Sequence, residues 1–439
     1  MRTHTPRGVP VDSGRRKEGL VNPKLMISKQ PATHSAKTAE SWQLAIRDDR
    51  AVRELVGSVT DALAMAPTSW VPSFLGLPSS WGPAPYSEYQ LLWSGDVPRL
   101  ARYLVDVGIP SVPGRAPGWV PGPLASLFWH PSHVDRHPDE NGRSDSHPHE
   151  AWFFINGILH DDALAQMNGD YLAYLFHRPI TLLQNSTDGV LVDLLECAVE
   201  RLGATAEDVD AAFPPLMKAL KDPEKERVVV IAHSQGTLIV AVVLELIRHI
   251  YARTSSNRLS DADVDAIHRR TRADGMRFDR RHIKPLNARE LGRLELYCFA
   301  NCASHMRYID AVDGAAFPWI ESFGNQHDIV ARLGVVAPHP GQRQIEIDGP
   351  RYEHRGAWGH LLNVHYLRAI EQTQLRERVG RAAAHDGAPY TLINRPRFPA
   401  AVVPRLYDYL AGGSSIPKLG RPDRVRGAHR NGDPSLRAR

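Results

Sequence analysis

The chain has 439 residues, with 53 lysines and arginines against 49 aspartates and glutamates, 42% hydrophobic residues and 8% aromatic residues. That apolar fraction, with a net charge of only +4, excludes a mainly disordered chain. Three cysteines (Cys197, Cys298 and Cys302) are too few, and odd in number, for a disulfide framework.

The basic excess sits at the two ends. Residues 1–20 carry Arg2, Arg7, Arg15, Arg16 and Lys17 against Asp12 and Glu18. Residues 413–439 carry Lys418, Arg421, Arg424, Arg426, Arg430, Arg437 and Arg439 against Asp423 and Asp433. The stretch between them is net acidic, which argues against a nucleic-acid partner. Both ends are rich in Gly, Pro and Ser and read as solvated tails, with contact to an anionic membrane surface as the lesser alternative. The basic start has no apolar run behind it, so no secretory signal is expected. The most apolar stretch, Val228 to Ile250, is interrupted by His233-Ser234-Gln235-Gly236-Thr237, so no transmembrane segment is expected either. Together these point to a cytoplasmic protein.

In chain order, residues 1–40 read as a disordered basic tail. Residues 41–65 have helical spacing, with Leu44, Val52, Leu55, Val56, Val59 and Leu63 on one face. Residues 66–150 are dense in Pro, Gly, Trp and His, so residues 41–150 read as an N-terminal extension draped over the main domain. From residue 151 apolar strands alternate with helices: strand 151–158, helix 160–176, strand 178–185, helix 189–203, strand 227–232 and helix 236–252. A polar stretch at about 254–292 reads as an insertion. Strands at 294–301, 318–325 and 343–349, a helix at 361–376 and another near 400–411 complete the main domain, 151–412. Residues 413–439 form the second basic tail. The alternation predicts an α/β fold with a mostly parallel sheet and helices on both faces.

Ala232-His233-Ser234-Gln235-Gly236 stands directly after a fully apolar strand and directly before an apolar helix. A serine hydroxyl is a weak nucleophile that needs a neighbouring base and a position clear of its surroundings. A sharp strand-to-helix turn provides that position, at the cost of backbone strain on the serine. Strand and helix approach so closely there that the residues two before and two after must be small, as Ala232 and Gly236 are. A polar N-cap on a buried helix is the plain alternative for Ser234. His233 reads as a packing or hydrogen-bonding residue, since a neighbour on a tight turn points away from the hydroxyl.

This stretch resembles the nucleophile elbow of the α/β-hydrolase superfamily, most closely that of uncharacterised serine esterases and lipases with a His-Ser-Gln-Gly elbow. The first position is Ala here, where Gly is usual. The resemblance covers about residues 150–376 and implies an α/β-hydrolase-like sheet with a Ser-His-Asp triad. It also implies the chain order Ser, then acid, then His. Asp328, in the loop after strand 318–325, fits the acid; an N-cap role before Ile329-Val330-Ala331-Arg332 is its alternative, and Glu321 and Asp310 are rivals. His360, in Gly359-His360-Leu361-Leu362, fits the base; His365 is the rival, and His354 stands in a polar loop before it. The resemblance further implies two oxyanion donors, the backbone N–H of Gln235 and that of Ile158, the latter after Asn156-Gly157. A plain Asn-Gly turn is the alternative at that second position.

His130, His133, His137, His147 and His149 crowd a short stretch with Asp135, Asp139 and Asp145. Their spacings match no helical His pair and no zinc motif, so this stretch reads as a polar solvated loop and no metal is expected. No phosphate-binding Gly-rich motif occurs and no cofactor is expected. Cys298 and Cys302 read as small buried hydrophobes. The sequence thus predicts a serine hydrolase acting on a carboxylic ester of a small molecule or lipid. A thioesterase, acyltransferase or amidase on the same residues, and a non-catalytic binding scaffold, remain open. Trp70, Trp81, Trp93, Trp119 and Trp129 could line an acyl pocket or only pack the domain.

Overall fold

The structure, a computed structural model, describes residues 86–88, 133–139, 141–143, 146–157, 162–184, 206–310, 316–337, 345–372, 389–394 and 403–413. The helices expected at 41–65 and 189–203, the five tryptophans Trp70, Trp81, Trp93, Trp119 and Trp129, and the two tails apart from Gly413 lie outside the described residues.

An eight-stranded sheet organises the chain. Its strands are β1 (His133–His137), β2 (Glu150–Ile155), β3 (Ile180–Gln184), β4 (Arg227–His233), β5 (Leu294–Phe299), β6 (Trp319–Asn325), β7 (Arg351–His354) and β8 (Thr391–Leu392). They lie in the order β1-β3-β2-β4-β5-β6-β7-β8. The inner six are parallel; β1 and β8 close the two edges antiparallel. β4 and β5 are buried along almost their whole length, because both faces are covered. That is why their sequences, Val-Val-Val-Ile-Ala and Leu-Glu-Leu-Tyr-Cys-Phe, lack the alternation of a half-exposed strand.

The principal helices are α1 (Asp162–Phe176), α2 (Ala206–Lys221), α3 (Gly236–Arg253) and α4 (Asp261–Ala273). α3 buries most of its length beneath the sheet's central strands. α4 is capped by the Ser260 hydroxyl, which accepts from the Asp263 amide. It forms most of the ordered structure in the polar stretch expected as an insertion.

Three features differ from the sequence expectation. β1 is a strand where a solvated His-rich loop is expected, so the sheet reaches back before residue 151. α2 occupies a stretch to which the hydrophobic pattern assigns no element; Pro214 and Pro215 stand inside it. The sheet strand before His360 is 351–354 rather than 343–349. Among the described residues of the latter, Glu346–Ile347 is the strand, and it pairs with His305–Met306 outside the main sheet. β7 is hard to read because Tyr352 is its one buried residue.

The amino ends of the strands share a network of buried charges. Arg178, fully buried, donates from Nε to Glu150 Oε2 at 2.9 Å, from Nη1 to the Phe176 carbonyl and from Nη2 to the Gly413 carbonyl. The Trp152 indole donates to the same Glu150 carboxylate. Glu295 on β5 accepts from Arg405 Nη2 and from the hydroxyls of Tyr297 and Tyr409, each at 2.8 Å. Glu321 on β6 accepts the Arg405 and Leu406 amides. The 3-10 helix Arg405–Gly412 is thereby bound across the base of the sheet.

Candidate functional site

Chain order and strand order part company at β2. The chain runs from β2 to β3 on one side, then to β4 on the other. The crevice between the carboxyl ends of β2 and β4 is therefore a topological switch point, where open α/β sheets bind ligands. Ser234 lies there. β4 ends at His233 and α3 begins at Gly236, so the turn between them is Ser234-Gln235. Ser234 has φ 55°, a left-handed conformation that a residue with a side chain rarely adopts. The Ser234 amide donates to the Phe299 carbonyl on β5, and its carbonyl accepts the Thr237 hydroxyl at 2.7 Å. The strained turn is thus tied on both sides.

The register of β2 on β4 explains why two glycines flank it. Ile155 is opposite Ala232, so Gly157, two residues on, meets Ser234. A Cβ on Gly157 would stand 2.5 Å from Ser234 Cβ and 2.8 Å from the His233 carbonyl oxygen. A Cβ on Gly236 would stand 2.5 Å from the Ile155 carbonyl oxygen. Any side chain at either position would force the two backbones apart.

His360 bridges the serine and the acid. Its Nε2 is 2.9 Å from Ser234 Oγ, and its Nδ1 is 2.9 Å from Asp328 Oδ2 and 3.1 Å from Oδ1. All three residues are buried, at 0% exposure for Ser234 and Asp328 and 1% for His360. Three residues placed after β4, β6 and β7 thus converge on one line of hydrogen bonds. Asp328 is not the N-cap that was its alternative, since the 3-10 helix Ala331–Leu333 has Val330 as its N-cap, but Oδ1 does accept the Val330 amide at 2.8 Å in the turn before it. A further donor is Tyr366, whose hydroxyl is 2.5 Å from Asp328 Oδ2.

The rivals have other partners. His365 Nδ1 accepts the Leu361 amide at 2.9 Å, and burial pushes its pKa down to about 4, so this ring is neutral near pH 7. His354 is the last residue of β7, opposite Asn325. Glu321 is committed to the Arg405 and Leu406 amides at the base of the sheet, and burial raises its pKa to about 7. Asp310 is exposed. His233 donates from Nε2 to the His360 carbonyl at 2.8 Å, and its ring lies 4.7 Å from that of His360.

Gln235 is buried at the head of α3, directly after Ser234. Ile158 lies outside the described residues, as do His130 and Asp145. Among the described residues no group of three or more His, Cys, Asp or Glu could hold a metal ion. Among them, too, no helix is long and apolar enough to cross a membrane.

Two participants escape sequence reasoning. Tyr366 looks like any core aromatic in Val-His-Tyr-Leu; only the structure turns its hydroxyl to Asp328. Glu88 sits 275 residues before the Asn363 amide it accepts, at 2.6 Å. The same carboxylate accepts the Val364 amide at 3.0 Å, closing the amino end of the helix after His360. Burial raises the Glu88 pKa to about 7. No local pattern announces such a distant cap.

The fold is therefore a mixed α/β structure with a mostly parallel sheet, and the candidate site is a buried line of Ser234, His360 and Asp328 at the switch point. No family model matches the chain, and no curated protein does. Among solved structures, a carboxylesterase from Bacillus subtilis is similar over 64% of this chain and 95% of its own, at 12% identity and a TM-score of 0.22. A likeness that slight establishes no activity for this chain.

Proposed function

We propose that the protein is a serine hydrolase that cleaves a carboxylic ester through an acyl-enzyme. The observation that carries this reading is the His360 ring, with Ser234 Oγ and Asp328 Oδ2 each 2.9 Å from opposite nitrogens. In this mechanism Ser234 Oγ forms a bond to the acyl carbon while His360 Nε2 takes the hydroxyl proton. Asp328 holds Nδ1 protonated and stabilises the imidazolium that results. The Gln235 and Ile158 amides donate to the oxyanion, the first aided by the amino end of α3. Collapse of the tetrahedral intermediate breaks the ester C–O bond, and the alcohol leaves with the proton from Nε2. Water then attacks the acyl-enzyme, giving its proton to Nε2, and the acid departs as Ser234 is restored.

The reaction needs no cofactor. Ser234 is completely buried, so the groups that cover Oγ must give way before an acyl group reaches it. A fluorophosphonate probe tests the reading. Wild type becomes labelled and Ser234→Ala does not. Folded wild type that stays unlabelled at high probe concentration refutes it and favours a binding scaffold. Rates on paired oxygen esters, thioesters and amides then rank the leaving group.

A further inference from the structure

Asp328 is fully buried, and its two oxygens receive three donors from three places. The Val330 amide comes from its own turn, His360 Nδ1 from the base, and the Tyr366 hydroxyl from the next helix, at 2.5 Å. The same hydroxyl accepts the Asn325 amide at 3.2 Å, at the end of β6. Tyr366 therefore joins both ends of the loop that carries Asp328 to the helix after His360.

That helix is wound as a π-helix over Leu362–Leu367, a widened turn uncommon outside functional sites. The ring of Tyr366 is held on its other sides by Phe299, at 5.8 Å, and His233, at 6.0 Å. Burial and the Asp328 carboxylate both push the phenol well above its ordinary range, so it keeps its proton and acts as donor.

We infer that Tyr366 is a positioning residue, acting through Asp328 to set the proton affinity of the Asp328–His360 pair. The inference rests on the proposed triad. A hydroxyl bonded to a carboxylate stabilises its ionised form and lowers its appetite for a further proton. Without it the carboxylate is less satisfied, and the pair takes up a proton at higher pH. Because the two groups are coupled, the shift belongs to the pair rather than to either residue. The other titratable groups around the pair are His233, its ring tilted at 34° to that of His360, His365 on the π-helix, Tyr390 near Asp328, His327 beside Asp328, and Arg332 on the next turn.

The test is an NMR titration of histidine-labelled full-length protein, with the His360 signal assigned by its loss in His360→Gln. Tyr366→Phe is expected to raise the apparent pKa of that signal by about half a unit to one unit. Replacing Tyr366 with 3-fluorotyrosine, a stronger donor of nearly the same shape, is expected to lower it. Opposite shifts from the two replacements support the inference. An unchanged pKa, or a shift of the same sign in both, overturns it; should Tyr366→Phe fail to fold, the fluorotyrosine protein alone decides by the sign of its shift. Ester hydrolysis is not needed for this readout. Fluorophosphonate labelling of the same wild-type sample reports separately on the hydrolase reading.

Discussion

Replacing Gly157 with alanine probes how closely the loop after β2 is pressed against the serine. The added methyl would lie 2.5 Å from Ser234 Cβ and 2.8 Å from the His233 carbonyl oxygen. Carbon atoms in ordinary contact are about 3.5–4.0 Å apart, so the loop must retreat by about 1 Å. Residue 158 moves with it, and that residue is proposed to carry an oxyanion amide. A misplacement of about 1 Å costs about 100-fold in rate, the same scale as losing one oxyanion donor. The expected result is a kcat about 100-fold below wild type, or about 2.7 kcal/mol of barrier, with KM changed far less. Overpacking lowers stability by about 1–3 kcal/mol, a shift of a few degrees in Tm. Initial rates on p-nitrophenyl esters, taken well below the melting transition, separate the two effects. Leu216→Ala, in the buried face of α2, serves as a control that loses about 2–5 kcal/mol of stability but keeps its kcat. A folded Gly157→Ala protein with wild-type kcat would refute the reasoning.

Three further outcomes are expected from the same geometry. Ser234→Gly and Ser234→Ala are both expected to be inactive. The glycine variant is expected to be the more stable by about 1 kcal/mol, because only glycine adopts φ 55° without strain; thermal melts giving the opposite ranking would remove strain from the account of the elbow. His360→Ala is expected to lose activity by about 10⁴-fold, while His365→Ala keeps turnover and loses about 1–3 kcal/mol of stability from the unpaired Leu361 amide. Equal losses of kcat in the two would move the base. For Glu88, the folded-state pKa of about 7 lies above the ordinary 4.5. Between those values the folded state holds a proton that the unfolded state has released, so stability falls as pH rises and levels off above about pH 7. Glu88→Gln is expected to flatten that slope, seen as a urea midpoint that changes less between about pH 4 and pH 8; parallel slopes in the two proteins would dismiss Glu88 as its source.

What the sequence discloses about the site is local in character. The elbow is legible because strand, small residue, serine, small residue and helix all fall within one short run. Asp328 and His360 are legible by their places after successive strands, although the strand before His360 is β7 and not the stretch expected. The order survives that error because both candidates precede the histidine. Partners that come from far along the chain leave no such trace. Glu88 meets Asn363 only after folding, and nothing in the sequence around Tyr366 sets its one polar atom apart from a core aromatic. The edge strand β1 is illegible for a related reason: its His-Val-Asp-Arg-His carries one apolar residue, Val134, which is exposed at 48%. Such a strand is specified by the edge it pairs with rather than by burial. α2 is hidden by Pro214-Pro215, which ordinarily signal a helix end, while Phe213, Leu216 and Leu220 secure it from the core side.

The charged base of the sheet also has a consequence for the order in which this molecule is completed. Glu295 emerges from the ribosome 110 residues before Arg405, the nearer of two guanidinium partners; the other, Arg227, lies 3.7 Å away and is already made. At ordinary elongation rates that is a wait of about 5–20 s. Through that interval Glu295 has Arg227 alone as its cation, and Glu321 lacks the Arg405 and Leu406 amides that it accepts in the folded protein. Translation therefore finishes the end of the sheet opposite Ser234 last, and a product truncated before residue 403 lacks the guanidinium and the two amides that complete the partners of Glu295 and Glu321.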